Sequence, residues 1–357
     1  MTDLAERAER LVAIPSVSGD EAAILEAIRD EIPSSLSIVE GDAVLLAMPE
    51  RRPGAPLILL AGHVDTVPPG RIAPGRRGSG AIHGRGAADM KGGLAVMLTL
   101  ADDLTRGEVV SDLDVGLVLF GREELPFAQS ALRPFLDEHP EFREAALAIV
   151  LEPTANRLEL GCLGNLTVEL TVEGAAAHTA RPWLGRNAIH DAIDLLAPLA
   201  ARPPRDVSLD GLTFREVVSI TGLEGGLATN VVPDRATARI NVRYGPTTAS
   251  EDAQRELIAS ISGPNATVEV LGNAPPGLVP EANPLVERLR AAGELAVGPK
   301  QAWTPVAEFG LVGVDAVNFG PGDPEYAHRD DERVEIAALT RARDVLRAFL
   351  RNARTGG

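Results

Sequence analysis

Short apolar runs alternate along the chain with segments whose apolar residues fall three or four apart. Leu4, Ala8, Leu11 and Val12 predict an amphipathic helix at the start. Residues 56–61 (PLILLA), 113–120 (LDVGLVLF) and 146–151 (ALAIVL) are near-continuous apolar runs and predict buried strands. A helix is predicted over 90–104, with Gly92 and Gly93 in its first turn. Buried strands separated by helices predict a mostly parallel sheet covered on both faces. After about Gly164 the pattern changes. Residues 166–172 (LTVELTV) alternate strictly, as a strand with one wet face does. A helix over 188–200, an alternating strand over 236–243, a helix over 251–260 and a strand over 266–271 follow. Residues 273–280 (NAPPGLVP) read as a linker. A helix over 284–292, a strand over 316–319 and a terminal helix over 336–352 then resume the first pattern. The expected architecture is an α/β domain of residues 1–163 and 273–357, interrupted by an α+β insert of residues 164–272.

Composition narrows the picture. A chain of 357 residues suits two domains, and 45% hydrophobic residues supply sizeable cores. Aromatics are only 3%, so those cores must be mostly Leu, Val, Ile and Ala. The net charge of −17 would repel a phosphate backbone, which argues against nucleic acid as a partner. Cys162 is the only cysteine, so no intramolecular disulfide can form; a reducing, cytoplasmic setting is expected. The opening MTDLAERAERLVAIP lacks the apolar centre of a signal peptide, and no apolar stretch is long enough to span a membrane.

The chemistry-bearing residues follow predicted strands. After 56–61 come Gly62-His63-Val64-Asp65, and side chains two apart on extended backbone share a side. An imidazole with a carboxylate beside it suits a metal ligand and its orienting partner. Gly86-Ala87-Ala88-Asp89-Met90-Lys91-Gly92 precedes a helix, where an aspartate alone would read as an N-cap. Glu123-Glu124 follows 113–120, Glu152-Pro153-Thr154 follows 146–151, and Ala327-His328 follows the glycine-rich 318–322. Each acidic residue alone reads as a solvated charge. Together they supply mixed N/O ligands, which suit Zn²⁺ with Co²⁺ or Mn²⁺ as substitutes.

In that order, His63-x-Asp65, Gly86-x-x-Asp89-Met90-Lys91-Gly92, Glu123-Glu124, Glu152-Pro153-Thr154 and Ala327-His328 resemble the zinc metallohydrolase family of succinyl-diaminopimelate desuccinylase, acetylornithine deacetylase and related carboxypeptidases. The similarity covers nearly the whole chain, extending to 177–182 (AHTARP), 185–188 (GRNA) and 230–234 (NVVPD). The stretches 318–323 and 327–334 look most like the desuccinylases of high-GC bacteria.

The resemblance implies a dinuclear-zinc aminopeptidase-like catalytic domain carrying a lid and dimerisation domain. It implies Asp89 bridging two Zn²⁺ ions, with His63 and Glu152 at one and Glu124 and His328 at the other. Asp65 would hold the His63 ring, Glu123 would be the general base, and the Asp89–Met90 peptide would be cis. His178, from the insert of a second subunit, would stabilise the oxyanion. Asn230, Arg243 and Gly320 would line the substrate. The implied reaction is hydrolysis of an amide in an N-acyl amino acid or short peptide, N-succinyl-LL-2,6-diaminopimelate being the leading candidate.

One segment departs from the family. In 303–309 (WTPVAEF), Glu308 stands where the resemblance expects an arginine that pairs with the succinyl carboxylate, and Pro305 replaces a polar residue. A substrate-facing glutamate would repel an anionic acyl tail. It suggests an alternative substrate with a neutral or cationic acyl or aminoacyl group. A non-catalytic metal-binding paralogue is the remaining alternative. His83, His139 and His190 read as ordinary loop or helix residues.

Overall fold

The computed structural model describes residues 3–72 and 75–351. Two compact units form. The first comprises residues 1–161, 278–299 and 304–357; the second comprises 162–277 and 300–303. The terminal helix spans Ile336–Leu350, and the expected last position, Asn352, lies outside the described residues.

The first unit is built on an eight-stranded mixed sheet. Its middle is parallel: Asp114–Phe120, Leu57–His63, Ala145–Val150 and Ala316–Asn318 lie side by side in that order. All seven residues of Leu57–His63 are buried, as a strand flanked on both edges and covered on both faces requires. The flanks are mixed: Val297–Pro299 joins parallel to Leu158–Leu160 at one edge, and the other flanking pairings are antiparallel. Ser37–Gly41 and Val44–Met48 form a hairpin that joins antiparallel to Asp114–Phe120, and Leu158–Leu160 joins antiparallel to Ala316–Asn318. Ser37–Gly41 is exposed at all five positions and carries no apolar periodicity that would have announced it. The helix Gly92–Thr105 is apolar on nearly every side and is buried accordingly. A three-stranded antiparallel sheet of Arg333–Glu335, Ala81–His83 and Arg76–Arg77 brings the end of the chain beside the segment that precedes Asp89.

The second unit is a five-stranded antiparallel sheet with its own core. Its order is Arg205–Leu209, Leu212–Gly225, Arg235–Tyr244, Gly164–Glu173 and Ala266–Ala274. Gly164–Glu173 alternates buried and half-exposed positions, as its sequence alternates. The helices Ala188–Ala200 and Ser250–Ser260 pack their apolar faces into this core. Asn273 and Ala274, read above as linker, still pair with Leu166 and Asn165 and so belong to the last strand.

Candidate metal centre

Strand register assembles the site. His63 lies level with Phe120, so Glu123 and Glu124 emerge just beyond it. Ala61 lies level with Val150, which puts Glu152 beside His63; Asn318 lies level with Val150, which puts Gly320 beside Glu152. These are the C-terminal ends of parallel strands, the edge at which open α/β sheets bind ligands.

Two groups of ligand atoms meet at Asp89. His63 Nε2 lies 3.0 Å from Asp89 Oδ1 and 3.8 Å from Glu152 Oε1. His328 Nε2 lies 2.9 Å from Glu124 Oε1 and 3.4 Å from Asp89 Oδ2. Asp89 thus turns one oxygen to each histidine, and each trio is compact enough to hold one ion. The Asp89–Met90 peptide is cis, as the resemblance implies. His63 is buried, while the His328 side chain is 49% exposed, so the two groups differ in solvent access.

Asp65 sits below the ligands. It accepts hydrogen bonds from Ser18 Oγ (2.7 Å) and from the backbone N–H groups of Glu123 (3.1 Å) and Glu124 (3.2 Å). His63 Nδ1 lies 3.0 Å from the Asp65 carbonyl and 3.5 Å from its carboxylate. The carbonyl is therefore the nearer support for the ring, and the carboxylate chiefly organises the Glu123-Glu124 loop. Arg122, just before Glu123, and His328 both adopt left-handed backbone, at φ 62° and 64°. Such conformations cost free energy in non-glycine residues and tend to gather at functional sites.

The electrostatics call for positive charge. Burial would lower the His63 pKa, yet hydrogen bonds to Asp65 and Asp89 hold it well above its ordinary value. Hydrogen bonds that the ring donates to the Asp89 and Glu124 carboxylates push His328 up to about 10. Burial raises Glu123 well above the usual carboxylate range; His63 opposes this, while Glu152, Glu124 and Asp89 reinforce it. The upward shifts of both imidazoles mark a cluster that favours positive charge. Metal ions compete with protons for such positions. Two divalent ions would also match the charge of four carboxylates, those of Asp89, Glu123, Glu124 and Glu152. Two imidazoles with those carboxylates form a donor set that fits two such ions.

Gly320 and Gly322 support the site through close approach. A Cβ at Gly320 would lie 2.4 Å from the Glu152 carbonyl oxygen, and one at Gly322 would lie 2.1 Å from that of Ala88. Both loop positions press on the backbone of a ligand residue or its neighbour. Gly322→Ala should displace the Ala88-Asp89 backbone and reduce kcat by about a hundredfold, since misplacing reacting groups by ~1 Å has that effect. Steady-state kinetics with metal analysis checks this; wild-type kcat would show that the contact is dispensable.

His178, Asn230 and Arg243 belong to the second unit, and Glu308 to the first. His178 and Asn230 are neighbours in the second unit: Thr179 N–H donates to the Asn230 carbonyl, and His178 bridges to Val231. His178 Nδ1 accepts the Ala180 N–H at 3.0 Å, which leaves Nε2 as the donor nitrogen of the exposed ring. Arg243 lies on Arg235–Tyr244, with Nε 3.2 Å from Asn241 Oδ1. Glu308 lies in the short helix Val306–Leu311, is 1% exposed, and accepts a hydrogen bond from Ser130 Oγ.

Burial pushes Glu308 up to about 7 against the Ser130 hydrogen bond and the Arg133 charge. An acid whose pKa is raised by folding stabilises the fold below its unfolded pKa of about 4.3, and that contribution is lost as pH rises through about 7. Glu308→Gln removes the loss, so the variant should gain about 2–4 kcal/mol over wild type between pH 4.5 and 8. Denaturant midpoints at both pH values test this; a gap that does not widen with pH would contradict it.

Sequence reasoning passed over Ser18, which binds Asp65, and Arg85 and Glu332, which hold the Asp89 turn. An ordinary serine in a loop and a glutamate ending an Asp-Asp-Glu run offered no signal.

The chain belongs to the Peptidase family M20/M25/M40, whose model matches residues 59–352. It is 41% identical over 356 residues to the putative succinyl-diaminopimelate desuccinylase DapE of Mycobacterium tuberculosis, with 98% of each chain covered. It is 36% identical over 353 residues to the succinyl-diaminopimelate desuccinylase of Corynebacterium glutamicum, covering 96% of this chain and 94% of that one. Among solved structures, aminopeptidase PepT from Bacillus cereus superposes with a TM-score of 0.79 at 20% identity, covering 97% of each chain. The M20 family metallo-carboxypeptidase Sso-CP2 from Sulfolobus solfataricus gives 0.77 at 19% identity, covering 98% of this chain and 99% of that one. These likenesses establish the fold.

Proposed function

We propose that this chain hydrolyses the amide of N-succinyl-LL-2,6-diaminopimelate, a step of diaminopimelate and lysine biosynthesis, with two Zn²⁺ ions and as a cytoplasmic homodimer. The observation that carries the reading is Asp89 turning one carboxylate oxygen to His63 and the other to His328, with Glu123 alongside. The substrate is taken from the two desuccinylase relatives. His63, Asp89 and Glu152 would hold one ion, and Asp89, Glu124 and His328 the other. When bound, such ions polarise the amide carbonyl and lower the pKa of water toward neutrality. Glu123 takes a proton from the attacking water and returns it to the departing amine nitrogen. Burial gives its carboxylate the proton affinity that both transfers need. Asp65 fixes the loop that carries Glu123. The Nε2–H of His178 is the right donor for a developing oxyanion, delivered by a second copy of the chain.

The alternative, a neutral or cationic acyl group, rests on Glu308. That carboxylate is buried and engaged by Ser130, and burial favours its neutral form, so its repulsion of an anionic tail is weakened. This supports the succinylated substrate.

The test is amine release by zinc-loaded protein from N-succinyl-diaminopimelate, N-acetylornithine, other N-acyl amino acids and dipeptides with cationic ends. Turnover should be led by the succinylated compound; an inert succinylated compound beside a turned-over neutral or cationic one would replace this reading with the alternative. His178→Ala should lower kcat by about 10²–10³-fold with metal content unchanged. A smaller loss would remove His178 from the mechanism.

A further inference from the structure

The two halves of the centre are supported differently. His63 ends a fully buried strand, and Glu152 lies two residues beyond another. Asp89 and His328 have no such support. Asp89 lies in an irregular turn (φ −126°, ψ 93°), and His328 lies in a loop with left-handed backbone. One side chain joins that turn to that loop. Glu332 Oε1 accepts the backbone N–H groups of Ala88 (3.2 Å) and Asp89 (3.3 Å), and its Oε2 accepts Arg85 Nη1 at 2.6 Å. The Glu332 carbonyl accepts the Gly84 N–H at 3.1 Å, and its own N–H donates to the Arg329 carbonyl at 3.3 Å. Arg85 Nη1 also reaches the Arg329 carbonyl at 3.3 Å. Glu332 is 1% exposed. A carboxylate is tolerated there only because donors meet both oxygens.

We propose that Glu332, with Arg85 as its counter-charge, is the positioning residue of the Glu124–Asp89–His328 half of the centre. It fixes the Asp89 turn and the His328 loop to each other, so the second metal site reaches its full affinity only while Glu332 is clamped. The first site keeps its sheet-borne ligands His63 and Glu152 without it. The inference rests on the two-metal reading given under Proposed function.

The experiment is calorimetric titration of chelator-stripped full-length protein with Zn²⁺, alongside steady-state kinetics at limiting and excess Zn²⁺. Wild type should take two equivalents. Glu332→Gln places an amide against the Arg85 guanidinium. It should weaken the second equivalent by about 10–100-fold, the usual effect of losing a group that orients a ligand, while the first stays within about threefold. Its kcat should fall at limiting Zn²⁺ with KM little changed, and excess Zn²⁺ should restore it. A merely structural role would not give that pattern of rescue. Adding Arg85→Met should recover part of the second-site affinity by removing the clash. Should Glu332→Gln not fold, Arg85→Met alone carries the test, because the carboxylate keeps its two backbone donors and only the second equivalent should weaken. Both equivalents at wild-type affinity in the folded variant, or equal weakening of both, would overturn the positioning role. Failure of the two-metal reading is separately visible, as a wild type that takes fewer than two equivalents.

Discussion

Glu123→Gln is expected to reduce turnover by about 10²–10⁴-fold, the range for losing a general base, while two metal equivalents still bind. Glutamine has the shape of glutamate but cannot take up a proton at neutral pH. The loop around it should not move, because its anchors are independent of the side chain. The Glu123 and Glu124 N–H groups bind Asp65, and Arg122 pairs through both nitrogens with Asp42 at 2.8 Å. Metal analysis beside single-turnover kinetics reads both halves of the prediction. Unchanged turnover would remove Glu123 from the chemistry. Wild-type protein that binds metal yet turns over nothing in the amide panel would favour the non-catalytic, metal-binding alternative.

The second large effect is expected at Asp89. Its Oδ1 faces His63 and its Oδ2 faces His328, so a single carboxylate serves both groups. Asp89→Asn keeps the volume but turns one oxygen into an NH₂ that can donate only. Whichever way the amide rotates, one site loses a ligand and meets a donor where a cation should sit. Metal stoichiometry should fall from two to one or less at micromolar metal, with kcat down by more than about 10³-fold, since the two ions act as a pair. Glu124→Gln or Glu152→Gln should each weaken one equivalent only. An Asp89→Asn protein that keeps two equivalents and its turnover would show that Asp89 bridges nothing.

Much of this site was legible as local order. His63, Glu124, Glu152 and His328 each follow an apolar run or a glycine-rich turn, and such runs mark strands whose ends must lie at the edge of a sheet. The helices at Ala188–Ala200 and Ser250–Ser260 and the alternating strand Gly164–Glu173 were also readable, because 3.6- and 2-residue periods are properties of neighbours in sequence. Most element ends moved by a residue or two, as caps and fraying dictate, and the strand expected over 266–271 runs on to Ala274.

Other features were not legible. The antiparallel flanks of the large sheet come from Ser37–Gly41, which is exposed throughout, and from Leu158–Leu160, three residues long; neither carries a period. The burial of Glu308 against Ser130 joins residues 178 apart, and the sequence offered only a charge. Glu332 ends an Asp-Asp-Glu run with no periodicity or motif of its own, yet its carboxylate accepts the Asp89 N–H across 243 positions.

The sequence by itself determined which residues could be ligands and on which strand ends they would stand, because hydrophobic period and turn chemistry act over a few residues. Only the tertiary structure decided which oxygen of Asp89 meets which histidine, and which acidic side chains are buried and clamped. Those depend on strand order, register and the meeting of segments hundreds of residues apart, where a charge becomes a ligand, a clamp or a solvated surface group according to what packs against it.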